Sequence, residues 1–317
     1  MTTYDEITDI AKLKTAYDSV DPTKTPGADG VTHGQYGLSL DRNLGTLQQR
    51  LLDGTYEMQP VKRIDRTKPD GTTRAIALVA LEDKIVQRAT MNALAPRLEP
   101  DFYPWSAARK GLGTRYASDL VLGQLARLRP HHVVTIDLRD CYGSLDHEKL
   151  IELLRARSVD ERVERLVRVF LGTKVAGEEG AQARTHGIEQ GMPIAMLLAN
   201  LYLHEALDRW VEEQHGGEDG GLAPVRYLDD ACFALHHDNA HPEWLISGLT
   251  QRLTSWGLAL SERKTQKVPF GPKQATAIGL APGARAAATF TFVGSVFSHG
   301  LLPSGKWAPF RNTKSDD

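Results

Sequence analysis

The order of apolar and polar positions is helical over most of the chain. Apolar residues recur at intervals of three and four over residues 81–98, 116–128, 147–156, 159–171, 196–214 and 243–256, the spacing that gathers them on one face of an α-helix. Three segments break that rhythm. Residues 132–138 are an apolar, β-branched run ending in an acid, residues 225–235 are two apolar stretches folded about Asp229-Asp230, and residues 290–297 alternate aromatic with small side chains. All three read as strands, the second as a hairpin. A few antiparallel strands among many helices predict an α+β fold, a sheet with helices packed on one face.

No internal repeat and no low-complexity linker divides the 317 residues, a length ample for a large core in one domain or two subdomains. The balance of 41% hydrophobic and 25% charged residues is that of an ordinary soluble protein. No apolar run approaches the length that spans a bilayer, and residues 1–10 are polar and acidic, so the expectation is a cytoplasmic chain without membrane contact. Cys141 and Cys232 are isolated in sequence and read as small core residues, not as a zinc cluster.

Charge complicates this picture. A formal net charge of −2 is unfavourable for a chain that must hold a polyanion unaided. Between Glu57 and Arg115, however, eleven Lys or Arg stand against seven Asp or Glu, among them Lys62, Arg63, Arg66, Lys68 and Arg74. Such a run is most often a solvated face. The less common alternative is a basic surface that contacts nucleic acid, with or without a partner that adds to the grip.

The sharpest chemistry lies where Val133-Val134-Thr135-Ile136 leads into Asp137, and Tyr227-Leu228 into Asp229-Asp230. A carboxylate after an apolar strand is costly unless it emerges at the strand end or binds a cation. Two such strands side by side would converge their acids. Mg²⁺ takes oxygen ligands in octahedral geometry, and two ions bridged by carboxylates can activate a 3′-hydroxyl and stabilise a departing pyrophosphate. The bland alternative is ordinary turn chemistry, since Asp-Asp in a hairpin loop is common.

Around those acids stands an ordered series of motifs that resembles the reverse transcriptase family, in particular its bacterial group II intron, retron and defence-associated branches. Pro26-Gly27-Ala28-Asp29-Gly30-Val31-Thr32 is similar to the N-terminal motif of intron-type enzymes. Lys68-Pro69-Asp70-Gly71, followed by Arg74, resembles the fingers hairpin that closes on the incoming nucleotide, which implies triphosphate contacts for Arg74 and Lys68. The competing reading is an exposed hairpin whose cations touch solvent. The segment from Asp137 to His147 resembles the first catalytic motif of the palm. By that resemblance Asp137 is a metal acid, the Leu138 carbonyl a further ligand, and Tyr142 the aromatic beneath the sugar that excludes a ribose 2′-hydroxyl; a plain core tyrosine is the alternative.

Gln190-Gly191-Met192-Pro193 and the following Leu197–Leu203 run resemble the motif under the templating base pair, with Gln190 and Gly191 on the substrate side. Intron and retron enzymes commonly carry Ser-Pro where Ala195-Met196 stands here. Tyr227-Leu228-Asp229-Asp230 matches the Tyr-x-Asp-Asp signature, implying metal binding by Asp229 and tuning of the site by Asp230. Lys264, in Gly257-Leu258-Ala259-Leu260-Ser261-Glu262-Arg263-Lys264-Thr265, falls where a lysine protonates the leaving pyrophosphate, or is an exposed loop lysine. Phe290-Thr291-Phe292-Val293-Gly294 resembles the primer grip.

The resemblance implies a right-hand polymerase with an antiparallel palm sheet backed by helices. Fingers and the start of the palm fall over residues 1–130, palm and primer grip over 131–297, and a short tail over 298–317, so that the thumb is expected to be reduced or absent. It implies RNA-directed DNA synthesis from dNTPs with two Mg²⁺ ions, Mn²⁺ able to replace them, on an RNA template with a DNA product. The setting expected is retron-like or antiphage defence. A structured noncoding RNA, a protein partner or a second copy of the chain is expected to replace the thumb. Template- or primer-independent nucleotide addition and a noncatalytic nucleic-acid scaffold are the other readings.

Overall fold

Helices form where the apolar spacing puts them, and the structure adds helices before residue 81 that the spacing did not give. The computed structural model describes residues 2–67, 71, 73–177, 184–215, 221–236 and 241–313. The chain forms two units, each assembled from two separate stretches: Met1–Asp101 with Tyr142–Leu201, and Phe102–Cys141 with Tyr202–Asp317.

The first unit is mostly helical. Helix Leu81–Leu98 buries Ile85, Val86, Ala89, Ala93, Leu94 and Leu98, with Pro96 tolerated in its last turn. Helices Thr3–Thr8 and Ile10–Asp18 pack on it, Leu40–Asp53 packs on those two, and from the second stretch Glu161–Leu171 meets both Thr3–Thr8 and His147–Arg155. Asp160 caps the last of these by accepting from the N–H groups of Arg162 and Val163, and its other oxygen accepts from the Tyr4 N–H at 3.1 Å. Two strands, β1 (Lys62–Thr67) and β2 (Thr73–Leu78), pair antiparallel in a hairpin that sets Arg66 opposite Arg74.

The second unit holds the main sheet, made of β3 (His132–Asp137), β4 (Leu222–Tyr227), β5 (Asp230–Leu235) and β6 (Gln266–Pro269) in the order β4-β5-β3-β6. Every pairing in it is antiparallel. Helices pack against it. Helix Thr114–Leu128 packs on β4 and β5 through Ala117, Val121 and Leu125, and helix Pro242–Ser255 runs against β3. Consecutive residues of β3, β4 and β5 are therefore buried, and their near-continuous apolar composition is the consequence of a sheet without a wet face.

Two further differences from the sequence reading are turns inside apolar runs. Residues 290–297 are two strands, β7 (Phe290–Phe292) and the start of β8 (Ser295–Leu301), reversed at Val293 and Gly294, both at positive φ. The register sets Phe290 opposite Phe297 with their rings stacked 5.0 Å apart, so apolar alternation carries straight through the turn and hides it. Strand β9 (Trp307–Thr313) completes a three-stranded sheet within what was read as a tail. The helix expected over residues 196–214 is interrupted: Ala195–Leu203 passes into a π-helical turn, His204–Asp208, before Arg209–His215 resumes. Among the described residues no helix is long and apolar enough to cross a membrane.

Candidate active site

The second unit brings the acids together through backbone pairing. Strand β3 ends at Asp137, β5 begins at Asp230, and the antiparallel register makes these two residues direct partners. Tyr227 and Asp230 close a hairpin whose two-residue loop is Leu228-Asp229. Leu228 takes φ +56°, a left-handed conformation that costs a residue with a Cβ about 1–2 kcal/mol. The Leu138 N–H donates to the Asp229 carbonyl at 3.2 Å, fastening the end of β3 to this loop. On the other side the Ser261 N–H donates to the Asp137 carbonyl at 2.8 Å and the Arg139 N–H to the Ala259 carbonyl at 2.8 Å, which carries the segment leading to Lys264 alongside.

Side-chain electrostatics follow from that backbone frame. Lys264 Nζ donates to Asp137 Oδ1 at 2.7 Å, and this hydrogen bond, opposed by partial burial and helped by the charges of Asp137, Asp230 and Asp229, raises the lysine above its ordinary value. Lys264 is thus an exposed turn lysine that is nevertheless ion-paired with Asp137. The Asp230 carboxyl is pushed up to about 7, first by burial and then by the negative charges of Asp229 and Asp137. Burial, reinforced by Asp229, also holds the Cys141 thiol well above its usual range, and burial alone does so for Cys232. Both cysteines are free and buried, as small core residues should be.

The donors available to a metal here are oxygens, the kind Mg²⁺ and Mn²⁺ prefer. Among the described residues no three His, Cys, Asp or Glu side chains are gathered into a closed metal cage. Two carboxylates from adjacent strand ends make an open arrangement instead, and the raised Asp230 registers the negative potential that Asp137 and Asp229 create in it. That chemistry fits divalent ions whose remaining ligands are water and phosphate.

The first unit holds the other candidates. The Arg74 Nε donates to Gln190 Oε1, so two residues expected on the substrate side are joined. Gln190 is held in turn by its carbonyl, which accepts the Ala77 N–H of β2 at 2.7 Å. Gly191 has φ +106°, and a Cβ there would lie 2.7 Å from the Ala77 carbonyl oxygen. Glycine is therefore required at this position by the strand it touches, before any substrate is considered. Tyr142 opens a short 3₁₀ turn, Tyr142–Ser144, and is 7% exposed, with its carbonyl accepting the Ile188 N–H at 2.8 Å. Lys68 lies outside the described residues.

Sequence reading missed a buried charge pair in the second unit. Arg226, immediately before Tyr227, and Asp208, in the π-helical turn, have side chains 1% and 0% exposed and are bonded at 2.6 Å. A signal for them existed: each is a charged residue at a position where the apolar pattern requires burial, a placement that is costly without a partner. Glu189, which pairs with Arg63 and Arg184 beside Gln190, was missed as well.

Comparison with known proteins agrees with this arrangement. The family described as "Reverse transcriptase (RNA-dependent DNA polymerase)" matches residues 66–296. Protein YkfC of Escherichia coli K12 is 31% identical over 198 residues, 60% of this chain and 51% of that protein. The group II intron-encoded protein LtrA of Lactococcus lactis subsp. cremoris is 27% identical over 62% of this chain and 33% of its own length. An uncharacterized 91 kDa protein in the cob intron of Schizosaccharomyces pombe is 28% identical over 73% of this chain and 35% of its own. The chain thus spans about half, or less, of each of these relatives. With the family match covering most of the 317 residues and both acidic strand ends falling inside it, the chain belongs to the reverse transcriptase family.

Proposed function

We propose that the chain is an RNA-directed DNA polymerase that extends a primer 3′-hydroxyl with deoxynucleotides. The observation that carries this reading is the register of β3 on β5, which sets Asp137 against Asp230 while the Leu138 N–H holds the Asp229 loop. Asp137 and Asp229 would hold two Mg²⁺ or Mn²⁺ ions, with the Leu138 carbonyl as a further ligand and Asp230 tuning the charge around them. Such ions, when bound, lower the pKa of the attacking hydroxyl and offset charge on the departing pyrophosphate. Lys264, already a cation against Asp137, would neutralise the acids and protonate the leaving pyrophosphate. Residues 131–297 in this reading are palm and primer grip.

Residues 1–130 in this reading are fingers and the start of the palm. Arg74, fixed by Gln190, is the guanidinium fork for the triphosphate, with Lys68 beside it in sequence and Gly191 keeping the turn close to β2. Tyr142 excludes ribonucleotides. The formal charge of −2 supports a nucleic-acid grip shared with a structured noncoding RNA, a protein partner or a second copy, and the resemblance to retron and defence branches supports that biological setting.

The test is label incorporation by the wild type and by Asp137→Asn and Asp229→Asn. Both variants should retain the wild-type circular dichroism and melting temperature and lose activity to background. Wild-type incorporation by either would sink the assignment. A product whose sequence follows the supplied RNA separates templated synthesis from untemplated addition or a scaffold.

A further inference from the structure

The loop that carries Asp229 is braced from beneath. Arg226 is almost wholly buried, and its guanidinium reaches three separate segments of the second unit. Its Nε donates to Asp208 Oδ1 at 2.7 Å and Nη2 to Asp208 Oδ2 at 2.6 Å, a two-pronged pair with the π-helical turn. Nη2 also donates to Ser106 Oγ at 2.8 Å, and Nη1 to the Leu228 carbonyl at 3.3 Å. The Arg226 backbone is held too, its N–H on the Trp105 carbonyl at 2.9 Å and its carbonyl on the Ala107 N–H at 2.8 Å.

We propose that Arg226 is a positioning residue for the catalytic loop, holding the strained Leu228 peptide and so aiming the Asp229 carboxylate, with Asp208 fixing the guanidinium. The contact on the Leu228 carbonyl is the argument. That carbonyl shares a peptide plane with the Asp229 N–H, so fixing one end sets the direction in which the Asp229 Cα departs. Leu228 at φ +56° would relax toward an ordinary conformation unless its surroundings over-determine it, and Arg226 is one of the groups that does so. The π turn has a part in this: a single widened turn changes which residues face inward, and Asp208, its last residue, is fully buried against the guanidinium.

A purely stabilising ion pair is the competing explanation, and buried pairs are weak evidence for stability because an apolar pair of similar volume often serves as well. The two explanations diverge in a double substitution. Arg226→Met with Asp208→Leu removes both charges together and is expected to melt near the wild-type temperature. If the pair positions Asp229, this protein loses about 100-fold in kcat, the order of loss that accompanies a displacement of about 1 Å at a reacting group, with the dNTP KM changed far less. The inference rests on the polymerase reading, so the closing experiment includes a readout that does not require turnover.

That readout is the rise in melting temperature on titration with MnCl₂. The double variant and Arg226→Lys, which keeps a charge for Asp208 but lacks the fork that also reaches Leu228, should both need about tenfold more Mn²⁺ for the half-maximal rise. An Arg226→Lys protein with wild-type kcat and wild-type Mn²⁺ response overturns the proposal whether or not the double variant folds. A wild type that shows the Mn²⁺ response but no polymerisation defeats the polymerase reading and leaves the positioning argument to be decided by the variants' titrations.

Discussion

Gly191→Ala is the substitution in which backbone geometry and the proposed nucleotide binding are most directly linked. Gly191 sits at φ +106°, and an added Cβ would lie 2.7 Å from the Ala77 carbonyl oxygen and 2.9 Å from Ile76 Cγ2. The Ala77 backbone is not free to yield, because its N–H donates to the Gln190 carbonyl at 2.7 Å and retreat of β2 breaks that bond. Left-handed strain of about 1–2 kcal/mol, overpacking of about 1–3 and a lost hydrogen bond of about 1 together give a destabilisation of roughly 3–6 kcal/mol. Gly30→Ala is the control: φ is +69° there, but nothing lies within 4 Å of the new Cβ, so only the backbone cost of about 1–2 kcal/mol remains. Urea unfolding followed by far-ultraviolet circular dichroism measures the difference. Because Gln190 also accepts from Arg74, displacing the 190–191 turn should raise the dNTP KM with a smaller effect on kcat. Equal midpoints for the two alanine variants, together with an unchanged KM in Gly191→Ala, would refute the reasoning.

Two other outcomes follow from single side chains. Burial, above all, pushes the Asp83 carboxyl up to about 6 from an ordinary 3.8, against the hydrogen bonds it accepts from Tyr56 Oη at 2.6 Å and the Gln59 N–H at 3.0 Å. A raised acid binds its proton more tightly in the fold, so its contribution is complete below pH 4 and is lost as pH rises through about 6; Asp83→Asn should gain about 3 kcal/mol on the wild type across that window, and parallel stability curves would contradict this. Tyr142→Ala should increase incorporation of ribonucleotides relative to deoxynucleotides in single-nucleotide extension, and an unchanged ratio would reduce the ring to the core residue that its 7% exposure equally allows.

What could be read from sequence was whatever period and chain order encode. Apolar runs ending on Asp137 and folded about Asp229 require strands whose ends carry acids, and β3, β4 and β5 are those strands. Lys264 reaches Asp137 because the segment 259–261 pairs with the end of β3, a contact that spacing along the chain cannot express. Turns inside unbroken apolar stretches were hidden for a related reason: the Val293-Gly294 reversal leaves aromatic residues facing the same core on both sides. The π turn is hidden more deeply, since one residue added to a helix that is apolar on most sides leaves no polar register to slip. Its trace is chemical instead. Asp208 and Arg226 each look misplaced among hydrophobic neighbours, and two opposite charges, each impossible alone at its site, are intelligible only as a pair. A buried charge in an apolar pattern therefore points to its missing partner, and here that partner adjoins the acidic loop.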